Sequence, residues 1–204
     1  MLPGIASRPG LNAGGGQLTL EFIGHGSTVP ADVQPGDLII AAYVDGGKTG
    51  FSTPSGYTYL ISHGQITLVH CGLAFKIADG SEGGTDPGET RYSAHRPSKP
   101  IKSAVRADYG TGAHDGAKSI YLDGDPGKVL FFVSASADVG YRTPSFYLDG
   151  TGISHTILRS GDGHYSYHIY HPGDLVAPST PLTGRFYRSS DGLLSFCGAV
   201  LEIE

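Results

Sequence analysis

The chain has 204 residues, among them 32 Gly and 13 Pro; charged residues make up 16% and the net charge is −5. The glycines punctuate apolar runs and form no low-complexity tract, which excludes a disordered chain, and mild acidity argues against a nucleic-acid binder. No apolar run reaches the roughly 18 residues of a membrane span, and two cysteines without C-x-x-C spacing exclude a disulfide scaffold and a zinc finger.

Residues 1–16 are rich in Gly and Pro and end in Gly14-Gly15-Gly16. They lack the basic and apolar regions of a signal peptide, so they read as a flexible N-terminal arm on a chain made in a cytoplasm. In an assembly the same arm could dock on a neighbour. The remainder, 17–204, reads as a single β domain.

Residues 17–24 alternate, with Leu18, Leu20 and Phe22 on one side, which predicts a half-buried strand. Residues 38–44 form a short apolar run closed by Asp45-Gly46-Gly47, a core strand. Pro54-Ser55-Gly56 predicts a turn, 57–62 a strand, and His63-Gly64 a hairpin tip. Residues 65–77 return as a long strand whose better core face carries Val69, Cys71, Leu73, Phe75 and Ile77.

Residues 79–119 are irregular and polar, broken by short strands near 90–94 and 101–107, because structureless loops of such length are unusual in compact domains. Strands follow at 120–122, 129–135 and 145–148. Two more, 153–159 and 164–170, flank Ser160-Gly161-Asp162-Gly163, a strong hairpin signal. Residues 184–188 and 193–203 read as a last hairpin turned at Ser190-Asp191-Gly192. The apolar C-terminal strand is expected to be internal or paired with a neighbour. No segment has a 3.6-residue period, so the chain reads as all-β.

Part of this order occurs twice. Pro35-Gly36, an apolar strand and Thr53-Pro54-Ser55 recur as Pro126-Gly127, an apolar strand and Thr143-Pro144-Ser145, with offsets of 91 and 90 residues. Cys71-Gly72-Leu73-Ala74-Phe75-Lys76-Ile77 then matches Cys197-Gly198-Ala199-Val200-Leu201-Glu202-Ile203, at an offset of 126. Short strand and turn words recur by chance in β proteins; their common order favours a repeat. The predicted architecture is therefore an antiparallel, jelly-roll-like β-sandwich of two pseudo-repeated halves, about 17–78 and 120–204, linked by 79–119. The second half carries about 36 extra residues between Ser145 and Cys197.

Four groups of residues invite a chemical reading. His155, His164, His168 and His171 lie close in sequence and could hold zinc or iron, and His171-Pro172-Gly173-Asp174 is similar to a cupin turn. The spaced His-x-His followed by Glu is missing, and a polar solvent face explains the histidines as well. Tyr165, Tyr167, His168, Tyr170 and His171 form an aromatic stripe suited to stacking on a sugar ring or on a partner, against ordinary strand composition. Arg91, Arg96, Lys99, Lys102 and Arg106 form a basic stretch that could meet an acidic partner subunit or an anionic glycan, against a solvated loop. Gly-x-Ser-x-Gly is absent, no spacing singles out a triad, and the many Asp-Gly pairs are turn chemistry. No catalytic residue, metal site or cofactor is predicted.

Pro35-Gly36-Asp37-Leu38-Ile39-Ile40-Ala41, then Thr53-Pro54-Ser55-Gly56-Tyr57-Thr58, then Leu73-Ala74-Phe75-Lys76-Ile77-Ala78 resemble a pattern of bacteriophage virion proteins. These are β-sandwich modules of tail fibres, head fibres, spikes and decoration proteins. The resemblance covers 17–78 and, more weakly, 126–203. It departs from the family at Tyr57, where Trp is common. It implies a non-enzymatic virion component that assembles in the host cytoplasm, docks on other virion subunits as a homo-oligomer and has a host glycan as a second contact. The acidity and the lack of a long apolar run argue for no nucleic-acid contact and no membrane insertion. A carbohydrate-binding adhesin module built on 153–170 and a cupin-like metal protein are the alternatives.

Overall fold

The computed structural model describes residues 19–45, 52–65, 69–82 and 90–101, and beyond them the backbone of 104–113, 118–124, 129–138, 145–148, 151–153, 156–160, 165–169, 182–188 and 194–203. The described residues are all-β. Their best-defined part is one open, five-stranded antiparallel sheet built from β1 (Leu20–Gly26), β2 (Leu38–Asp45), β3 (Thr58–Gln65), β4 (Val69–Ile77) and β5 (Thr90–Pro97), in the order β1-β5-β2-β4-β3.

Two type II-like turns fix the register of this sheet. Pro35 presets the second turn position, and Gly36 follows with φ 95°, a conformation costly for any residue with a Cβ. The Asp37 N–H closes this turn on the Gln34 carbonyl at 3.0 Å. The second turn begins at Pro54, has Ser55 at its second position and Gly56, φ 81°, at its third, and is closed by the Tyr57 N–H donating to the Pro54 carbonyl at 3.1 Å. The first turn also clamps the end of β4: Gly36 N–H donates to the Ala78 carbonyl at 2.8 Å, and Ala78 N–H donates to the Asp37 carbonyl at 2.7 Å. Leu38 therefore lies opposite Ile77, and the β2–β4 ladder runs unbroken to Asp45 opposite His70.

The centre of the sheet is covered on both sides. Leu38, Ile39, Ile40, Ala41 and Ala42 on β2 and Leu73 and Ala74 on β4 have 0% exposure. The predicted single core face of β4 is thus only half of the matter. One side, with Ile39, Ala41, Ala74, Ala78 and Tyr92, is shielded by Val29, Val33 and Tyr57 from the flanking loops. Leu38, Ile40, Ala42, Leu73 and Phe75 alternate onto the other side. Each fully buried Leu or Ile contributes about 1.5–3 kcal/mol relative to exposure. Both outer strands carry a bulge, at Phe22/Gly24 against β5 and at Tyr59/Ile61 against β4. Bulges blunt the open backbone of an edge strand.

The remaining strands are β6 (Ala104–Ala113), β7 (Lys118–Gly124), β8 (Val129–Asp138), β9 (Ser145–Leu148), β10 (Thr151–Ile153), β11 (Thr156–Ser160), β12 (Tyr165–Ile169), β13 (Leu182–Arg188) and β14 (Leu194–Ile203). Their backbones pair as β11-β12-β8-β14-β6 and as β10-β9-β13-β7. β11 and β12 form the predicted hairpin, and the C-terminal strand is internal, between β8 and β6.

Three local expectations are corrected. His63 and Gly64 are no hairpin tip: they pair with Cys71 and His70, and β3 continues to Gln65. β5 extends to Pro97 and lies between β1 and β2, well inside the sheet, although the stretch around it is polar. β13 and β14 are not a hairpin, because β13 pairs with β7 and β9 while β14 pairs with β8 and β6. An Asp-Gly turn reverses the chain locally, but ladder partners are chosen by burial over the whole sheet.

Candidate functional site

An open groove of about 480 Å³ runs between β1 and the turn at 31–34, lined by Glu21, Ile23, Asp32, Val33, Gln34 and Arg96. Its chemistry is set from beneath. Asp37 ends the Pro-Gly turn and enters β2, which leaves its carboxylate 1% exposed at the mouth of an apolar strand. A carboxylate so buried must be met by a cation and by hydrogen bonds. The β1–β5 and β2–β5 ladders bring Arg96 to it. Arg96 Nε donates to Asp37 Oδ1 at 3.2 Å, and Nη2 donates to Oδ2 at 3.0 Å and to the Asp32 carbonyl at 2.8 Å. The Gln34 N–H adds a third donor to the carboxylate, at 2.8 Å.

This fork ties three segments together: the 31–34 turn, the start of β2 and the end of β5. Hydrogen bonding to Asp37 raises the affinity of Arg96 for its proton, against a smaller opposing effect of desolvation. Removing the guanidinium would leave an uncompensated buried charge, a loss of about 3 kcal/mol or more. Glu21 lies opposite Arg96 in the ladder, so the groove presents two exposed carboxylates, Glu21 and Asp32, around a cation already paired.

A second polar constellation closes the far end of β4. Lys76 Nζ meets Asp79 at 3.1 Å and Glu82 at 3.2 Å. Glu82 in turn accepts the N–H groups of Asp79 and Gly80, and Asp79 accepts the N–H and hydroxyl of Ser81. Hydrogen bonds from Ser81, then from Lys76, hold the Asp79 carboxyl well below the usual carboxylate range. These groups satisfy one another and form a cap on the strand end.

The third is buried. Ser93 Oγ lies 3.2 Å from His95 Nε2, and Phe22 packs on the His95 ring at a centroid distance of 5.5 Å. A hydroxyl beside an imidazole is the beginning of a nucleophile–base pair, but both residues have 0% exposure, so no substrate reaches them. They form a buried polar contact on the side of the sheet that carries Leu38 and Ile40.

The predicted site residues fall as follows. Arg91 is half-buried and donates to the Thr90 carbonyl at 2.9 Å, Arg96 is the fork described above, and Lys99 is exposed after β5. Arg106 stands in β6 opposite Leu201. Tyr165, Tyr167 and His168 belong to β12, opposite Ala137, Ala135 and Ser134 of β8. Lys102, Tyr170 and His171 lie outside the described residues, as do His155 and His164. Among the described residues no group of three or more His, Cys, Asp or Glu could hold a metal ion, and no helix is long and apolar enough to cross a membrane. The Asp37–Arg96 fork and the Ser93–His95 pair escaped sequence reasoning. Asp37 carried one usable signal, a carboxylate directly before a continuous apolar run; nothing in the sequence told which of the basic residues would reach it. Comparison with models of protein families, with curated proteins and with solved structures finds no match.

Proposed function

We propose that this chain is a non-enzymatic structural component of a phage or phage-like virion, of decoration, fibre or spike type. It is synthesised in the host cytoplasm, works without a cofactor and acts through docking between copies of itself and other virion subunits. A host glycan is the second contact. One observation carries this reading: the three separated words of the virion-type pattern meet in one corner of the sheet. Pro35–Ala41 forms the turn and the first half of β2, and Leu73–Ala78 lies against it along the β2–β4 ladder. Between them, Thr58 pairs with Phe75 and Tyr57 packs on Ile39, Ala41, Ala74, Ala78 and Tyr92.

The architecture belonging to this reading is a jelly-roll-like β-sandwich of two duplicated halves. Its support lies in the ladders. Leu38 opposes Ile77 and Val44 opposes Cys71 in the first; at matched sequence positions, Val129 opposes Ile203 and Ala135 opposes Cys197 in the second. The flanking strands differ: β5 and β3 flank the first ladder, β12 and β6 the second, and β9, the chain-order counterpart of β3, pairs in another sheet. Backbone Cα atoms of β8 come within 8 Å of β2 and β4, and those of β14 within 8 Å of β3 and β4. Such an approach suits two sheets stacked face to face.

The test is mass spectrometry of purified particles from the host that carries the gene, with light scattering of the recombinant chain. The expected result is a chain that co-purifies with particles in stoichiometric amount and self-associates in solution. A stable monomer never found in particles would overturn the reading.

A further inference from the structure

The groove between β1 and the 31–34 turn lies where the N-terminal segment joins the sheet. Thr19 N–H donates to Ser98 Oγ at 2.9 Å, and the Thr19 carbonyl accepts the Ser98 N–H at 2.8 Å. This pair extends the β1–β5 ladder one step beyond Leu20 and Pro97 and fixes the point of entry. Two positions further on, Glu21 lines the groove. Glu21 and Asp32 bring two exposed carboxylates to it, while Arg96 is engaged with Asp37. Among the described residues neither exposed carboxylate has a hydrogen bond or an ion pair of its own. Half-buried Ile23 and Val33 and exposed Ala31 give the groove an apolar part.

The segment before Thr19 has the complementary composition. Arg8 is the one charged side chain among residues 1–18, and Ile5 and Leu11 stand three positions to either side of it. Arg8 lies seven positions before Gly15 and Glu21 six positions after it, so a reversal of the chain at Gly14-Gly15-Gly16 returns Arg8 to the level of Glu21. Glycine takes the positive φ that a tight reversal needs. The chain from Arg8 to Thr19 spans about 36 Å when extended, so reach does not limit the contact. Such a short tether keeps the segment at an effective concentration on the order of mM at its own groove.

We propose that this groove is the docking site of the chain's own N-terminal arm, with the Arg8 guanidinium held by the carboxylates of Glu21 and Asp32. An exposed ion pair is weak between separate molecules; within one chain the cost of bringing the partners together is already met by the tether. The inference stands whether or not the chain is a virion component.

The experiment uses the full chain. Isotope-labelled and unlabelled Arg8→Lys protein is mixed and treated with a water-soluble carbodiimide, which joins an amine to a carboxylate in contact with it, and the linked peptides are weighed. The expected outcome is a link from position 8 to Glu21 or Asp32 within single chains, falling several-fold at about 1 M salt, where the screening length is about 3 Å. In parallel, Arg8→Glu is compared with the unaltered protein by hydrogen exchange. Peptides covering 31–34 should exchange several-fold faster in the variant, and those of β2 and β4 at the same rate. Absence of a link from position 8 to either carboxylate overturns the inference, as do links scattered over other carboxylates. A link without the change in exchange records mere collision of a tethered chain and overturns it as well. Links between labelled and unlabelled chains overturn it too, and assign the groove to the arm of a second copy.

Discussion

Tyr57 is where a single residue most visibly departs from its surroundings. It follows the Pro54–Gly56 turn and packs with Tyr92 at a centroid distance of 5.9 Å. Its hydroxyl is buried and, among the described residues, has no hydrogen-bond partner. Burial, then the neighbouring Tyr92 and Glu82, push its proton affinity well above that of an ordinary tyrosine. The ring stabilises the loop-covered side of the sheet, while the oxygen costs about 1–3 kcal/mol of desolvation. Tyr57→Phe keeps the ring and removes the oxygen, so it should stabilise the protein by about 1 kcal/mol at neutral pH. The pH dependence has a definite sign. The unfolded chain ionises this tyrosine near pH 10 and the folded chain only at higher pH, so the native protein loses stability as pH rises above about 10. Urea unfolding at pH 7 and pH 11 checks both claims. The variant should show the higher midpoint at each pH and a shallower alkaline decline; a lower midpoint at pH 7 would mean that the hydroxyl has a partner.

Elements differ in how plainly they were written in the sequence. β2 was legible because five consecutive apolar residues, Leu38 to Ala42, sit between two turns, and a strand buried on both sides reads as a continuous run. β5 was legible only in part: a short strand near 90–94 was expected, but its reach to Pro97 and its place inside the sheet were not, because Thr90-Arg91-Tyr92-Ser93-Ala94-His95-Arg96 mixes charge with aromatics. Ser93 meets His95 and Arg96 meets Asp37 inside the sheet, and the second of these partnerships is set by a tertiary neighbour. The same limit applies to the tyrosines of β12, which sequence alone read as a stacking platform. In the ladder, Tyr167 opposes Ala135, which opposes Cys197, and Ile169 opposes Val133, which opposes Ala199. If the two ladders are alike, this is the side that corresponds to Leu38, Ile40 and Ala42, an interior side; His168 belongs to the other. Tyr167→Ala is then expected to destabilise the chain by about 3 kcal/mol. Chemical denaturation of the variant decides. A harmless Tyr167→Ala would return the tyrosines to the surface and strengthen the case for a glycan there.

At the scale of the whole molecule, the first sheet has more apolar surface than its own loops cover. Val29, Val33 and Tyr57 shield only the side carrying Ile39, Ala41 and Ala74. Leu38, Ile40, Ala42 and Leu73, on the other side, are equally sealed, with 0% exposure. A sheet with two apolar sides needs a layer over each. In the sandwich proposed above the second layer comes from beyond residue 101, and the approach of β8 to β2 and β4 and of β14 to β4 supports that reading. Residues 17–101 alone, although they contain every strand of the five-stranded sheet, are therefore expected not to fold. Circular dichroism and urea titration of that fragment should show no cooperative transition, and the dye ANS should bind strongly to the bared side, as it does to loosely packed states. Adding residues 102–204 as a separate chain should restore a transition if the halves share one core. A fragment that unfolds cooperatively by itself, with weak dye binding, would instead make the first sheet an independent domain. The like registers of the two ladders would then record a duplication of units that do not depend on each other for burial.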